Sequence, residues 1–135
     1  IHGNTRKAAE KIALILEKQG AKKVVVSDLS RDDEAEVIED AFRYGRMIIA
    51  APTYDGGLFP PMESFLSHLK SKNYQKRTVG IIENGTWAPM SGKLMKAALE
   101  SMKEIKICDT VVTIKSALKA EQEDSLVALA KEVLA

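Results

Sequence analysis

The 135 residues are enough for one domain, and a chain of that size buries roughly two thirds of its unfolded surface. Hydrophobic residues make up 45% and charged residues 29%, and 20 basic against 19 acidic side chains leave a net charge of +1, so nothing draws the chain broadly toward nucleic acid or an anionic membrane. No apolar run reaches the roughly 18 residues of a membrane helix, no signal peptide is visible, and the single cysteine, Cys108, has no partner for an internal disulfide, so a reducing, cytoplasmic setting is expected.

The chain begins "IHGNTRKAAEKI", a glycine turn that leads straight into a helix. Ala8, Ile12, Ile15 and Leu16 share one helical face, and Gly20 is a natural stop. Such a turn ordinarily follows a β-strand, so a strand is expected ahead of Ile1, in a chain cut from something longer. "KVVVS" (residues 23–27) is β-branched and predicts a buried strand. "DEAEVIEDAFRYG" predicts a helix ending at Gly45, and "RMIIAA" a second buried strand running into "PTYDGGLFPP". Pro61 suits the first turn of the next helix, "PMESFLSHLKS". "RTVGII" is a third strand, "KLMKAALESMK" a helix, "IKICDTVVTIK" an extended stretch broken near Asp109, and "AEQEDSLVALAKEVLA" a last amphipathic helix. Strands alternating with helices of this length predict a parallel sheet covered on both faces, with right-handed crossovers. One domain over residues 1–135 is expected, without internal repeat or linker.

In an open parallel sheet every segment that follows a strand emerges on the same edge, where ligands bind. "IHGNT", "APTYDGGLFPP" and "ENGTWAPMSG" should therefore meet in space. In the first, Gly3 tolerates φ > 0 and Asn4 or Thr5 can cap the helix, whose opening amides then suit an anion such as phosphate. The second places Tyr54 beside Gly56 and Gly57, with Leu58 and Phe59 expected to pack partly into the core. The third holds the only tryptophan, Trp87, between turn formers, where it could wall a planar ligand. The nucleotide loop G-x-x-x-x-G-K-[ST] is absent, since six residues separate Gly85 from Gly92 and Leu94 stands where Ser or Thr is required. G-x-G-x-x-G is absent as well. A phosphate cradle with two aromatic-bearing glycine loops fits a phosphorylated planar molecule such as FMN. With two histidines in the chain, His2 and His68, no metal-ligand cluster is expected; His68 falls mid-helix at the surface and Cys108 in the core.

"HGNT" resembles the end of the flavodoxin phosphate loop, [ST]-x-[TH]-G-x-T. "PTYDGGLFPPM" closely resembles the second flavin loop of A-type flavoproteins, the flavodiiron proteins, and "ENGTWAP" is similar to the third loop of a branch from anaerobic bacteria. The resemblance implies a three-layer flavodoxin-like α/β fold of strand order 2-1-3-4-5, with its first, central strand before residue 1 and residues 23–27 as the edge strand. It implies FMN as cofactor, with His2, Gly3, Asn4 and Thr5 holding the phosphate, and Pro52, Thr53, Tyr54, Asp55, Gly56 and Gly57 lining the ribityl chain and ring. Asn84, Gly85, Thr86 and Trp87 would cover the ring's other side. Asp55 stands where the pattern has Asn, and the third loop lacks the Tyr-Gly-Trp-Ser-Gly form common elsewhere. In flavodiiron proteins this domain follows a β-lactamase-like diiron domain that reduces O2 or NO. The resemblance therefore implies an electron relay, from rubredoxin or a flavin/NADH reductase to that diiron centre, in a possible homodimer, with no catalytic residue and no metal site in this chain. A stand-alone flavodoxin or a small flavin NAD(P)H:quinone reductase is the alternative, although no nicotinamide site is visible. A CheY-like receiver is disfavoured, because Ala51, Pro52 and Thr53 follow "RMIIAA" where that family needs a phosphorylatable Asp.

Overall fold

Two apolar clusters lie back to back across a parallel sheet. The computed structural model describes residues 2–54, 57–84, 90–114 and 120–135. In chain order the elements are α1 (His2–Lys18), α2 (Glu34–Arg43), β1 (Arg46–Tyr54), β2 (Gly57–Leu58), α3 (Pro60–Ser71), β3 (Arg77–Asn84), α4 (Ser91–Glu100), β4 (Ile105–Ile114) and α5 (Ala120–Leu134). The sheet order is β2-β1-β3-β4, with β1, β3 and β4 parallel and β2 antiparallel to β1.

The period of two along each strand divides the core. Ile49 and Ala51 of β1, with Val79 and Ile81 of β3, pack under α2, α3 and α4; Ile38, Met62, Phe65, Leu66, Leu69, Met95 and Leu99 complete that cluster. The alternate positions face α1 and α5, where Ile82, Cys108, Val112 and Ile114 meet Ala8, Ile12, Leu126, Leu129 and Val133. The middle of β3 is buried on both faces, which is why it reads as a continuous apolar run, whereas β4 alternates buried with exposed positions. α5 lies so close to β3 that a Cβ on Gly80 would stand 2.9 Å from Leu129 Cδ1 and 3.0 Å from Val133 Cγ2. β4 carries an irregularity where the break near Asp109 is expected. Val79 pairs with Ile107 but Ile81 with Val111, so Cys108, Asp109 and Thr110 stand opposite Gly80 alone. Two extra residues keep the alternation in phase, whereas one would turn every later side chain to the other face. The amide of Thr110 within the bulge donates to Glu132 Oε1 at 3.0 Å, and this bond with the Thr110 hydroxyl holds the Glu132 carboxyl below the ordinary glutamate range.

The structure corrects the sequence reading at three places. Residues 23–27 form no strand, because a β-branched run needs a hydrogen-bonded neighbour and none of the described strands lies beside it; Val25 and Val26 are 44% and 49% exposed. The expected strand order runs correctly from its third member to its fifth (β1, β3, β4), while its expected second member is this stretch, which pairs with none of the described strands. Residues 2–5 are not a loop ahead of a helix but the opening of α1 itself. β1 also continues through Tyr54 and turns back into β2, with Thr53 opposite Leu58 and Tyr54 opposite Gly57. The sequence between the two strands reads Asp-Gly, a dipeptide common between paired antiparallel strands, and these two residues lie outside the described ones.

At the amino edge of the sheet Tyr74 is 1% exposed, its hydroxyl has no hydrogen-bond partner among the described residues, and burial pushes its pKa up to about 12. A buried, unpaired hydroxyl costs on the order of 1–3 kcal/mol. Tyr74→Phe is therefore expected to raise the unfolding free energy by about 1 kcal/mol in urea denaturation. Because the folded pKa lies above the unfolded value, the wild type loses stability as pH rises from 10.0 towards about 12, and the variant should lose less over that window.

Candidate functional site

The carboxyl ends of β1 and β3 lie side by side, with Pro52 and Asn84 as register partners. Asn84 is only 4% exposed, and its Nδ2 donates to Thr5 Oγ1 at 2.9 Å across 79 residues of sequence. That bond fixes the first turn of α1 against the end of β3. Beyond Asn84 the chain passes through residues 85–89 and enters α4 at Ser91, which is fully buried and donates from Oγ to the carbonyl of Ala51 at 2.9 Å. Thr5, Pro52 and Asn84 are thus brought together, one from each of the three predicted segments, with Ser91 tying the far end of the third segment back to β1. Leu58 is buried and Phe59 packs against the same core, which makes β2 a firm floor beneath the second segment.

The predicted residues fall into three groups. Thr5, Pro52, Gly57 and Asn84 stand at this edge as described above. His2, Gly3 and Asn4 lie in the opening turn of α1, and Thr53 and Tyr54 in the last two positions of β1. Asp55, Gly56, Gly85, Thr86 and Trp87 lie outside the described residues. Gly57 is paired with Tyr54, so the freedom expected of two adjacent glycines is reduced at the second.

The helix openings along the chain differ in how they are capped. α2 is capped by Asp33, whose side chain accepts from the amide of Ala35 and whose carbonyl accepts from Glu36 and Val37. α3 opens with Pro60 and Pro61, which carry no N–H, and the amides of Met62 and Glu63 donate to the carbonyl of Phe59. In α4 the amide of Gly92 donates to Glu83 Oε2 at 2.8 Å and that of Leu94 to the carbonyl of Met90. A carboxylate thus caps one opening amide each in α2 and α4, and α3 opens on two prolines that carry no N–H. The hydroxyl of Ser30, then its amide, Arg31 and Arg6, hold the Asp28 carboxyl below the ordinary aspartate range.

Sequence reading passes over Glu83, Ser91 and Thr113, which bind these segments together. Ser91 at a helix start carries the signal of an N-cap, but its hydroxyl serves the neighbouring strand instead. A shallow groove of about 330 Å3 runs between α3 and α4, lined by Leu58, Leu66, Leu94 and Ala98, on the flank of the sheet and away from Thr5 and Asn84. His68 is at the surface and pairs with Glu34, which also accepts from Ser64. Among the described residues no group of His, Cys, Asp and Glu is placed to hold a metal ion, and no helix is long and apolar enough to cross a membrane.

No protein-family profile and no curated protein sequence matches the chain. Solved structures do. Rubredoxin oxygen:oxidoreductase from the anaerobe Desulfovibrio gigas superimposes with a TM-score of 0.90 at 20% identity, over 96% of this chain and 32% of that one. The Flv1 flavodiiron core from Synechocystis gives 0.84 at 16% identity, over 98% of this chain and 33% of its own. Oxidised flavodoxin 1 from Bacillus cereus gives 0.81 at 18% identity, over 99% of this chain and 91% of its own. The chain spans about a third of the first two and nearly all of the third. A parallel sheet flanked by helices, with strands in the order found here, is a flavodoxin-like fold.

Proposed function

We propose that this chain is an FMN-binding electron-transfer domain. The observation that carries the reading is the meeting of Thr5, Pro52 and Asn84 at one sheet edge, at the start of α1. The phosphate would lie at residues 2–5, at the opening of α1, whose first turn Asn84 ties to the end of β3. Residues 52–57 would line one side of the ring system, and Asn84, Gly85, Thr86 and Trp87 the other. Bound FMN supplies reversible one- and two-electron redox chemistry. This chain's residues would hold it in place: the Asn84 amide fixes the first turn of α1, and buried Leu58 anchors β2 against β1.

The finer reading is a relay within a longer flavodiiron-type protein. Electrons would enter from rubredoxin or a flavin/NADH reductase and leave for a diiron centre in a β-lactamase-like domain. A homodimer would bring the two centres together. The TM-score of 0.90 to rubredoxin oxygen:oxidoreductase supports this over the stand-alone flavodoxin reading, which the 91% coverage of a whole flavodoxin favours in turn.

Titration with FMN tests the proposal. Stoichiometric quenching of flavin fluorescence is expected, with a rise in Tm of about 10 °C at a hundredfold excess over Kd. Unchanged flavin fluorescence and unchanged Tm would remove the assignment. Rapid reduction of the loaded chain by reduced rubredoxin would support the relay, and reduction by NADPH alone would favour a reductase.

A further inference from the structure

Glu83 stands just before the third loop and Gly92 just after it, and a single carboxylate joins them. Glu83 Oε2 accepts from the amide of Gly92 at 2.8 Å, and Oε1 accepts from Thr113 Oγ1 at 2.7 Å. Thr113 is the register partner of Glu83 on β4, one residue before the strand ends at Ile114. One half-buried side chain therefore ties the end of β3, the start of α4 and the end of β4 at the sheet edge where Asn84 and Ser91 are anchored. The fit is built for it: a Cβ on Gly92 would run into Glu83 Oε2, with Cδ at 2.9 Å. The absence of a side chain at position 92 is thus what admits the carboxylate to the opening of α4, where the helix dipole favours a negative charge.

We propose that Glu83 is a positioning residue for the ligand site: it fixes the separation between Asn84 and Ser91, the two ends from which residues 85–89 are hung. The proposal rests on the FMN reading for its consequence, but its cause is local and is measurable without FMN. Trp87 is the only tryptophan, so its emission and its quenching by iodide report on this loop directly.

Glu83→Ala removes both bonds; it should shift Trp87 emission and quenching in the ligand-free chain and weaken FMN binding on the order of tenfold or more. Glu83→Gln should restore most of both, since its carbonyl accepts from Gly92 while its amide donates to the Thr113 hydroxyl. Gly92→Ala should resemble Glu83→Ala, because the methyl displaces a flexible carboxylate rather than backbone. In the Glu83→Ala background Gly92→Ala should add nothing, since the methyl then enters vacated space. Far-UV circular dichroism confirms that each variant is folded. Should Glu83→Ala misfold, Gly92→Ala, which displaces the carboxylate, and Thr113→Val, which removes the hydroxyl donor, test the same contact. If folded variants leave Trp87 emission, quenching and FMN affinity at wild-type values, or if the two substitutions simply add, the proposal is overturned. If the wild type fails to bind FMN, the FMN reading falls, and the Trp87 measurements still decide the role of Glu83.

Discussion

Asn84→Ala is expected to lower the unfolding free energy by about 2 kcal/mol and to weaken FMN binding at least about tenfold. The side chain is 4% exposed, and its amide supplies the bond that holds Thr5 and the first turn of α1 to the end of β3. Truncation leaves the Thr5 hydroxyl without that donor and a small void beside Pro52, its register partner. The two losses have different origins: the stability loss comes from the broken buried contact, and the affinity loss from release of the helix start that would receive the phosphate. Thr5→Val breaks the same bond from the other side. The double variant should therefore cost clearly less than the sum of the single ones. Urea denaturation with FMN titration of all three variants checks this, and strict additivity would mean that the bond does not couple the two segments.

A contrasting result is expected at the other end of the same strand. Arg77→Met should cost about 3 kcal/mol of stability, or roughly 10 °C in Tm, and leave FMN affinity unchanged. Arg77 opens β3 as Asn84 closes it, about 23 Å away at strand spacing. Its guanidinium donates to the carbonyls of Phe42 at 2.9 Å, Tyr44 at 3.1 Å and Gln75 at 2.6 Å, and lies 5.3 Å from the centre of the Tyr74 ring. It thus draws the end of α2 onto the turn before β3, where Asn73 and Lys76 hold left-handed conformations at φ 61° and 58°. Methionine keeps most of the stem and removes every donor. Arg77→Lys, with a single compact charge, should recover only part of the loss. A variant within 0.5 kcal/mol of the wild type would show that these carbonyls find equivalent partners in water.

The two positions also show what was legible in the sequence. β1 and β3 were readable because burial on both faces makes each an unbroken apolar run, and α3 because Pro61 announces its first turn. The break in β4 was readable at Asp109, although its width of two extra residues was not, since only pairing with β3 reveals it. The run at residues 23–27 was misread, because composition reports a preference for extended backbone while a strand also needs a neighbour. The pairing of β1 with β2 carried a local signal, the Asp-Gly dipeptide in the sequence between them, that the family likeness of the surrounding segment obscured. The convergence of the three segments followed from topology alone. The bonds that realise it did not, since Asn84 reaches Thr5 across 79 residues and Ser91 reaches Ala51 across 40. No local pattern reports a contact at that range.

The central claim, that the segments around residues 5, 52 and 84 close upon one FMN, is tested most directly by following the backbone amides of the chain in an NMR titration with FMN. The amides of Thr5, Arg6, Ala51, Thr53, Gly57 and Asn84, and the indole N–H of Trp87, should shift and saturate together at one equivalent. Those of Ser67, Lys70 and Ser101 along the α3–α4 groove, and of Arg77 at the amino edge, should stay in place. Shifts confined to the groove, or a folded chain whose spectrum does not respond to saturating FMN, would contradict the account.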